Sequence, residues 1–160
     1  MKEDFLHFLW ELQYFNKNSL TTSSGEEINV LHPGHRNKNS GPDFSQAKLI
    51  INGIEWHGHV EIHINSSDWY QHHHDQDAAY ENVILHVVWS HDKEVYRMDG
   101  SLLPTLTLSD KTDILLTEKY LNFVNSKWEI PCKNQLPSVS DIQKISMIER
   151  ALMNRLENKS

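Results

Sequence analysis

Cysteine is almost absent. The single Cys132 in 160 residues excludes an internal disulfide. Long apolar runs are missing too. The opening MKEDFLHFLW lacks the apolar stretch of a secretory leader, and runs such as Val83 to Trp89 stop well short of the roughly 20 residues that cross a bilayer. These absences predict a cytoplasmic protein with no membrane segment. Positive charge is scarce as well: 15 Lys and Arg stand against 22 Asp and Glu, a net charge of −7. That balance excludes the surface-wide basic footprint of a protein that coats nucleic acid or an anionic membrane, and leaves a local patch open. No Lys or Arg lies between Lys48 and Lys93.

Histidine occupies that gap. Eight of the 11 histidines fall inside it: His57, His59, His63, His72, His73, His74, His86 and His91. Cationic or metal-ligating chemistry there falls to imidazole. The 38% apolar content, with five Trp, supplies a core, so long-range disorder is excluded and one domain of ordinary size is expected.

Apolar residues at helical spacing from Phe5 to Phe15 predict a packed helix over residues 3–16. A short strand follows at Ile28 to His32, then the turn-rich segment HPGHRNKNSGPD. Phe44 to Ile51 and Ile54 to Ile64 around Asn52-Gly53 carry a β-hairpin signature. Asp68 to Glu81 reads as a helix, and Val83 to Trp89 as a strand buried on both faces. A second hairpin is expected over Val95 to Leu108, then a helix from Ser109 or Asp110 to about Lys127. Ile130 to Pro137 reads as a linker, and Ser140 with Gln143 offers a capping box for a final helix. The fold class is α/β (α+β), organised as one domain over 1–127 and a linker plus amphipathic C-terminal helix over 128–160. The stripe Ile142, Ile145, Ile148, Leu152 and Leu156 needs cover from the domain, a second copy, or a further C-terminal domain.

On the strand IEWHGHVEIHI, alternate residues share a face, so Glu55, His57, His59, Glu61 and His63 project to one side. Such a face is costly to bury without partners or an ion, and a solvent-exposed edge is the alternative. Residues at i, i+2 are about 7 Å apart and can share a metal, which selects His59 with Glu61 or Glu61 with His63. Asp43 opens the partner strand and completes the set. Register decides whether the acids meet. A plain two-residue Asn-Gly turn pairs Phe44 with Glu61 and puts Asp43 on the opposite face, whereas a three-residue loop or a β-bulge sets Asp43 across from Glu61. We expect the loop or the bulge.

Pro42-Asp43, an intervening hairpin and Glu61-Ile62-His63 resemble the PD-(D/E)xK nuclease pattern. The order helix, three strands, helix, strand resembles that superfamily's core. The resemblance implies a divalent metal on Asp43 and Glu61, His63 in the lysine position, and Glu11 as an auxiliary acid on the first helix. Mg²⁺ or Mn²⁺ suits two carboxylates, while the imidazole of His63 moves the preference toward Mn²⁺ or Zn²⁺. More broadly, the string from HPGHRNKNSGPDF to VILHVVW resembles a bacterial family, domain of unknown function 2851, found mostly in Bacteroidetes and with longer members. That resemblance implies no activity.

His35, Arg36 and Lys38 form an acid-free basic segment next to Asp43, open to a phosphate backbone or to plain solvation. His72, His73 and His74 on a helix would point about 100° apart and form no single ligand set, so they read as a solvated helix face. His86 reads as a hydrogen-bonded core histidine. No Gly-x-Ser-x-Gly elbow or phosphate-cradling glycine loop is present. The leading expectation is a metal-dependent nuclease-like phosphodiesterase acting on nucleic acid. The alternatives are a non-catalytic binding or scaffold module on the same fold, and a cupin-like metal protein using His57, His59 and Glu61.

Overall fold

Phe5, Leu6, Leu9 and Trp10 fall on one face of helix α1 (Glu3–Glu11) and are buried there. The computed structural model describes residues 2–126 and 138–157. α1 is shorter than its apolar pattern, because Gln13 turns left-handed (φ 56°) and returns Phe15 to stack on Trp10.

Seven strands form one mixed sheet: β1 (Leu20–Thr21), β2 (Glu27–His32), β3 (His35–Arg36), β4 (Phe44–Ile51), β5 (Ile54–Asn65), β6 (Val83–Ser90) and β7 (Thr105–Thr107). The order is β1-β2-β4-β5-β6-β7, with β3 also paired to β4. Pairing is antiparallel through β5 and parallel for β5 with β6 and β6 with β7. Residues 83–88 of β6 are all buried, as the unbroken apolar run requires. The larger core packs α1 against Leu49, Val60, Ile62 and Leu85, and a smaller one gathers Trp69, Val83, Val95 and Leu103.

The β4–β5 register carries the most consequence. Ile51 pairs with Ile54, so the turn is the two-residue Asn52-Gly53, with both residues at positive φ (50° and 79°). Left alone, that turn would bring Phe44 opposite Glu61. A bulge between Phe44 and Ala47, where Gln46 adopts φ 58°, moves Phe44 opposite Val60 instead. Asp43 thereby arrives beside Glu61. A left-handed non-glycine residue costs on the order of 1 kcal/mol, so Gln46→Gly is expected to stabilise the chain by up to about that amount with register kept. Chemical denaturation is the measurement, and a destabilised variant would show that the Gln46 side chain outweighs the strain.

The expected helix over Asp68 to Glu81 forms only as α2 (Asp68–Gln71), followed by 3₁₀ turns at His74–Gln76 and Ala78–Tyr80. His72 to Asp77 offers no apolar residue to pin a helical face, and His73 turns left-handed at φ 60°. The second expected hairpin reduces to one bridge, Tyr96 to Leu102. Pro104 has no N–H to extend that ladder, and Thr105 to Thr107 pair in parallel with β6 instead.

Contacts divide the chain into units 1–121 and 122–160. α3 (Ile114–Val124) starts later than expected, after Asp113, whose Oδ1 accepts the Leu115 N–H. α4 (Asp141–Glu157) begins with the expected capping box: the Ser140 N–H donates to Gln143 Oε1 and the Gln143 N–H to Ser140 Oγ. The Ile130 to Pro137 linker and Cys132 lie outside the described residues. No described helix is long and apolar enough to cross a membrane.

Candidate metal centre

The extended backbone of β5 sends Glu61 and His63 to one face, where both are buried. The bulge delivers Asp43 to the same place. The Asp43 N–H donates to Glu61 Oε2 at 3.0 Å, and the Ile62 N–H donates to Asp43 Oδ2 at 3.1 Å. His7 of α1 closes on the same Asp43 oxygen through Nε2 at 3.1 Å. Arg36 Nη2 lies 3.0 Å from His7 Nδ1. Because an arginine only donates, His7 Nδ1 accepts, and the neutral ring carries its proton on Nε2, the nitrogen nearer Asp43.

Three more histidines complete the cluster. His63, only 1% exposed, has Nδ1 2.8 Å from His86 Nε2 and Nε2 3.0 Å from His72 Nδ1. His74 Nε2 is 3.4 Å from Glu61 Oε1, is buried, and has no hydrogen-bond partner. His63 Nε2 lies 3.7 Å from that same oxygen. Ligand atoms of His63, His72 and His74 fall within 4.8 Å of one another, so the three could hold a metal ion. His63 and His74 are buried, and His72 is exposed. Trp69 walls the cluster edge-on to His74, and Tyr80 stacks on His74 at 3.7 Å.

The electrostatics describe a site short of positive charge. Burial, then the neighbouring Asp43 carboxylate, holds Glu61 well above the usual carboxylate range. Burial and Asp43 also raise Glu3, one turn before His7. Burial, reinforced by His86, His72 and His74, lowers His63 to about 2, and burial lowers His86 to about 3. Burial lowers His74 too. It also opposes charge on His7, but the hydrogen bond and charge of Asp43 prevail and raise it. Neutral imidazoles facing crowded carboxylates are a donor set that a cation would satisfy.

A pH dependence of the metal-free chain follows. His63 and His86 contribute stability that is full above their ordinary 6.5 and is lost as pH falls toward their folded values. Glu61, raised, contributes stability that is full below its ordinary 4.5 and is lost as pH rises. In the presence of a chelator, Glu61→Gln is therefore expected to gain stability relative to wild type between pH 4.5 and pH 8. A stability difference that stays flat across that range in urea melts would contradict the raised Glu61.

Of the residues expected from sequence, the structure brings together Asp43, Glu61 and His63. Glu11 is exposed on the last turn of α1, and the helical residue that reaches the site is His7, with the Asp43 charge felt also at Glu3 one turn earlier. His35, Arg36 and Lys38 lie outside the cluster, and the Arg36 guanidinium engages His7 and Asp4. His57 is exposed and holds Glu55 at 2.7 Å, so the cupin-like set His57, His59 and Glu61 is not the group that converges. The expectation of a solvated helical face at His72 to His74 is corrected. The left-handed His73 points outward while His72 and His74 turn in to His63, which straight helical geometry forbids. His86 is the buried hydrogen-bonded histidine its apolar strand suggested.

A mixed α+β domain with a histidine-rich group able to hold a metal is the class that fold and site define. A family model described as "Protein of unknown function (DUF2851)" matches residues 3–160, and the chain belongs to that family. No curated protein and no solved structure gives a match.

Proposed function

We propose that the chain is a metal-dependent phosphodiesterase acting on nucleic acid. The observation that carries this reading is the grouping of His63, His72 and His74, with ligand atoms within 4.8 Å of one another, beside a Glu61 oxygen that lies 3.7 Å from His63 Nε2 and 3.4 Å from His74 Nε2, with Asp43 hydrogen-bonded alongside. Three imidazoles and a carboxylate favour a transition ion such as Zn²⁺ or Mn²⁺ over the all-oxygen coordination of Mg²⁺. Such an ion, when bound, supplies a Lewis acid and a water acidic enough to ionise near neutral pH.

The chain's own residues hold the rest. With an ion held on Nε2, His63 would carry its proton on Nδ1 and donate it to His86 Nε2, 2.8 Å away, which would fix the ring. The Asp43 N–H orients Glu61. Ile62 and His7 hold one Asp43 oxygen, leaving the carboxylate placed to accept a proton from an attacking water. Glu3 takes the auxiliary-acid place on α1 that the nuclease resemblance assigned to Glu11. His35, Arg36 and Lys38, next to Asp43 in the chain, meet the phosphate backbone.

The element order supports the same reading: α1, then β2, β4 and β5, the short α2 and β6 follow the sequence of helix, three strands, helix and strand that the PD-(D/E)xK resemblance implies. Cleavage of single- and double-stranded DNA and RNA in Zn²⁺, Mn²⁺ or Mg²⁺ by wild type, Asp43→Ala and Glu61→Ala is the test. Activity abolished by both substitutions is expected. A chain that binds metal and cleaves nothing would instead be a non-catalytic, metal-held binding module.

A further inference from the structure

β5 bears a second polar feature outside the metal centre. Toward the hairpin, His57 and His59 continue the face of Glu61 and His63. With His32, His35 and Lys48 they line a groove of about 750 Å³. None of the ten lining residues is acidic, in a chain of net charge −7. Register sets Lys48 directly across from His57. Glu55, which is exposed, engages His57 Nε2 at 2.7 Å from outside the groove lining. His59 Nδ1 is buried with no hydrogen-bond partner. Gly58 lets β5 pass close to Asn82, since a Cβ there would stand 2.5 Å from the Asn82 carbonyl oxygen.

The groove thus offers the Lys48 ammonium and donors from imidazole and side-chain amide groups, with no acid among its lining residues. Imidazole N–H groups and one ammonium suit phosphate oxygens, and several in a row suit a chain of phosphates better than a single anion. His59 precedes Glu61 by two residues, about 7 Å along the strand, so a chain lying in the groove runs on to the metal centre.

We infer that this groove binds the phosphodiester backbone of a nucleic-acid strand and leads it to Glu61 and Asp43. Its direction rests on the phosphodiesterase reading, but binding itself does not require turnover. The test is fluorescence anisotropy on the whole chain in a chelator at low salt, with labelled single-stranded and duplex oligonucleotides. At least one is expected to bind, more weakly as salt rises. Lys48→Glu and the double variant Lys48→Ala/His57→Ala are expected to weaken that binding about tenfold or more. A strand with uncharged methylphosphonate linkages is expected not to bind.

The inference is overturned if neither oligonucleotide binds, if the groove variants bind as wild type does, or if the uncharged strand binds equally well. Groove variants that lose binding in a protein with no cleavage under any metal would support the groove and overturn the phosphodiesterase. Wild-type cleavage that the groove variants retain in full would do the reverse.

Discussion

Saturation with Zn²⁺ or Mn²⁺ is expected to raise the thermal midpoint of the wild-type chain by on the order of 10 °C, and His74→Phe is expected to remove most of that rise. An ion that binds only the folded state adds about 4 kcal/mol when its free concentration is a thousandfold above Kd. In a domain of this size each kcal/mol moves the midpoint by roughly 2–4 °C. The folded chain offers the ion what the unfolded chain does not: His63, His72 and His74 with ligand atoms within 4.8 Å. Phenylalanine at position 74 keeps the stack on Tyr80 and removes one ligand, so the comparison is between rises rather than absolute midpoints. An equal rise in wild type and variant, read by differential scanning calorimetry, would place the bound ion elsewhere.

Cleavage is expected to fall by about 10²-fold or more in both Asp43→Asn and Glu61→Gln, with metal affinity reduced in the second and largely kept in the first. The separation follows from geometry. Glu61 Oε1 faces His63 and His74, whereas Asp43 is fixed by Ile62 and His7 to one side of that group. Both substitutions preserve shape, and the side-chain amide introduced by Glu61→Gln still offers an oxygen to the Asp43 N–H. Single-turnover kinetics at saturating metal separates the effects. Recovery of Glu61→Gln but not Asp43→Asn at high metal is the expected pattern, and equal recovery of both would remove Asp43 from the chemistry.

Much of this site was legible along the strand. Alternation alone put Glu61 and His63 on one face, and register arithmetic showed that Asp43 could join them only through a longer loop or a bulge. The bulge itself was not legible: Gln46 at φ 58° sits in an otherwise ordinary strand sequence, and its position is set by how β3 and β5 both pair with β4. His72 and His74 were hidden for another reason. Regular helical geometry separates them, and only a break at the left-handed His73 brings them to His63. The lack of apolar residues from His72 to Asp77 was the one local hint. Helical spacing favours Glu11 no less than Glu3 and His7, because it does not say which turn of α1 passes the sheet end that carries Asp43. The second hairpin turns at Asp99-Gly100 but stays as short as its one bridge, since the returning arm beyond Pro104 pairs with the free edge of β6.

Anomalous diffraction at the zinc or manganese absorption edge, from crystals grown with that ion, locates the metal directly. One peak per chain is expected, bonded to His63 Nε2, His72 Nδ1, His74 Nε2 and a Glu61 oxygen. No peak at that position, or a peak held by His57 and His59, would contradict the metal centre and the chemistry built on it.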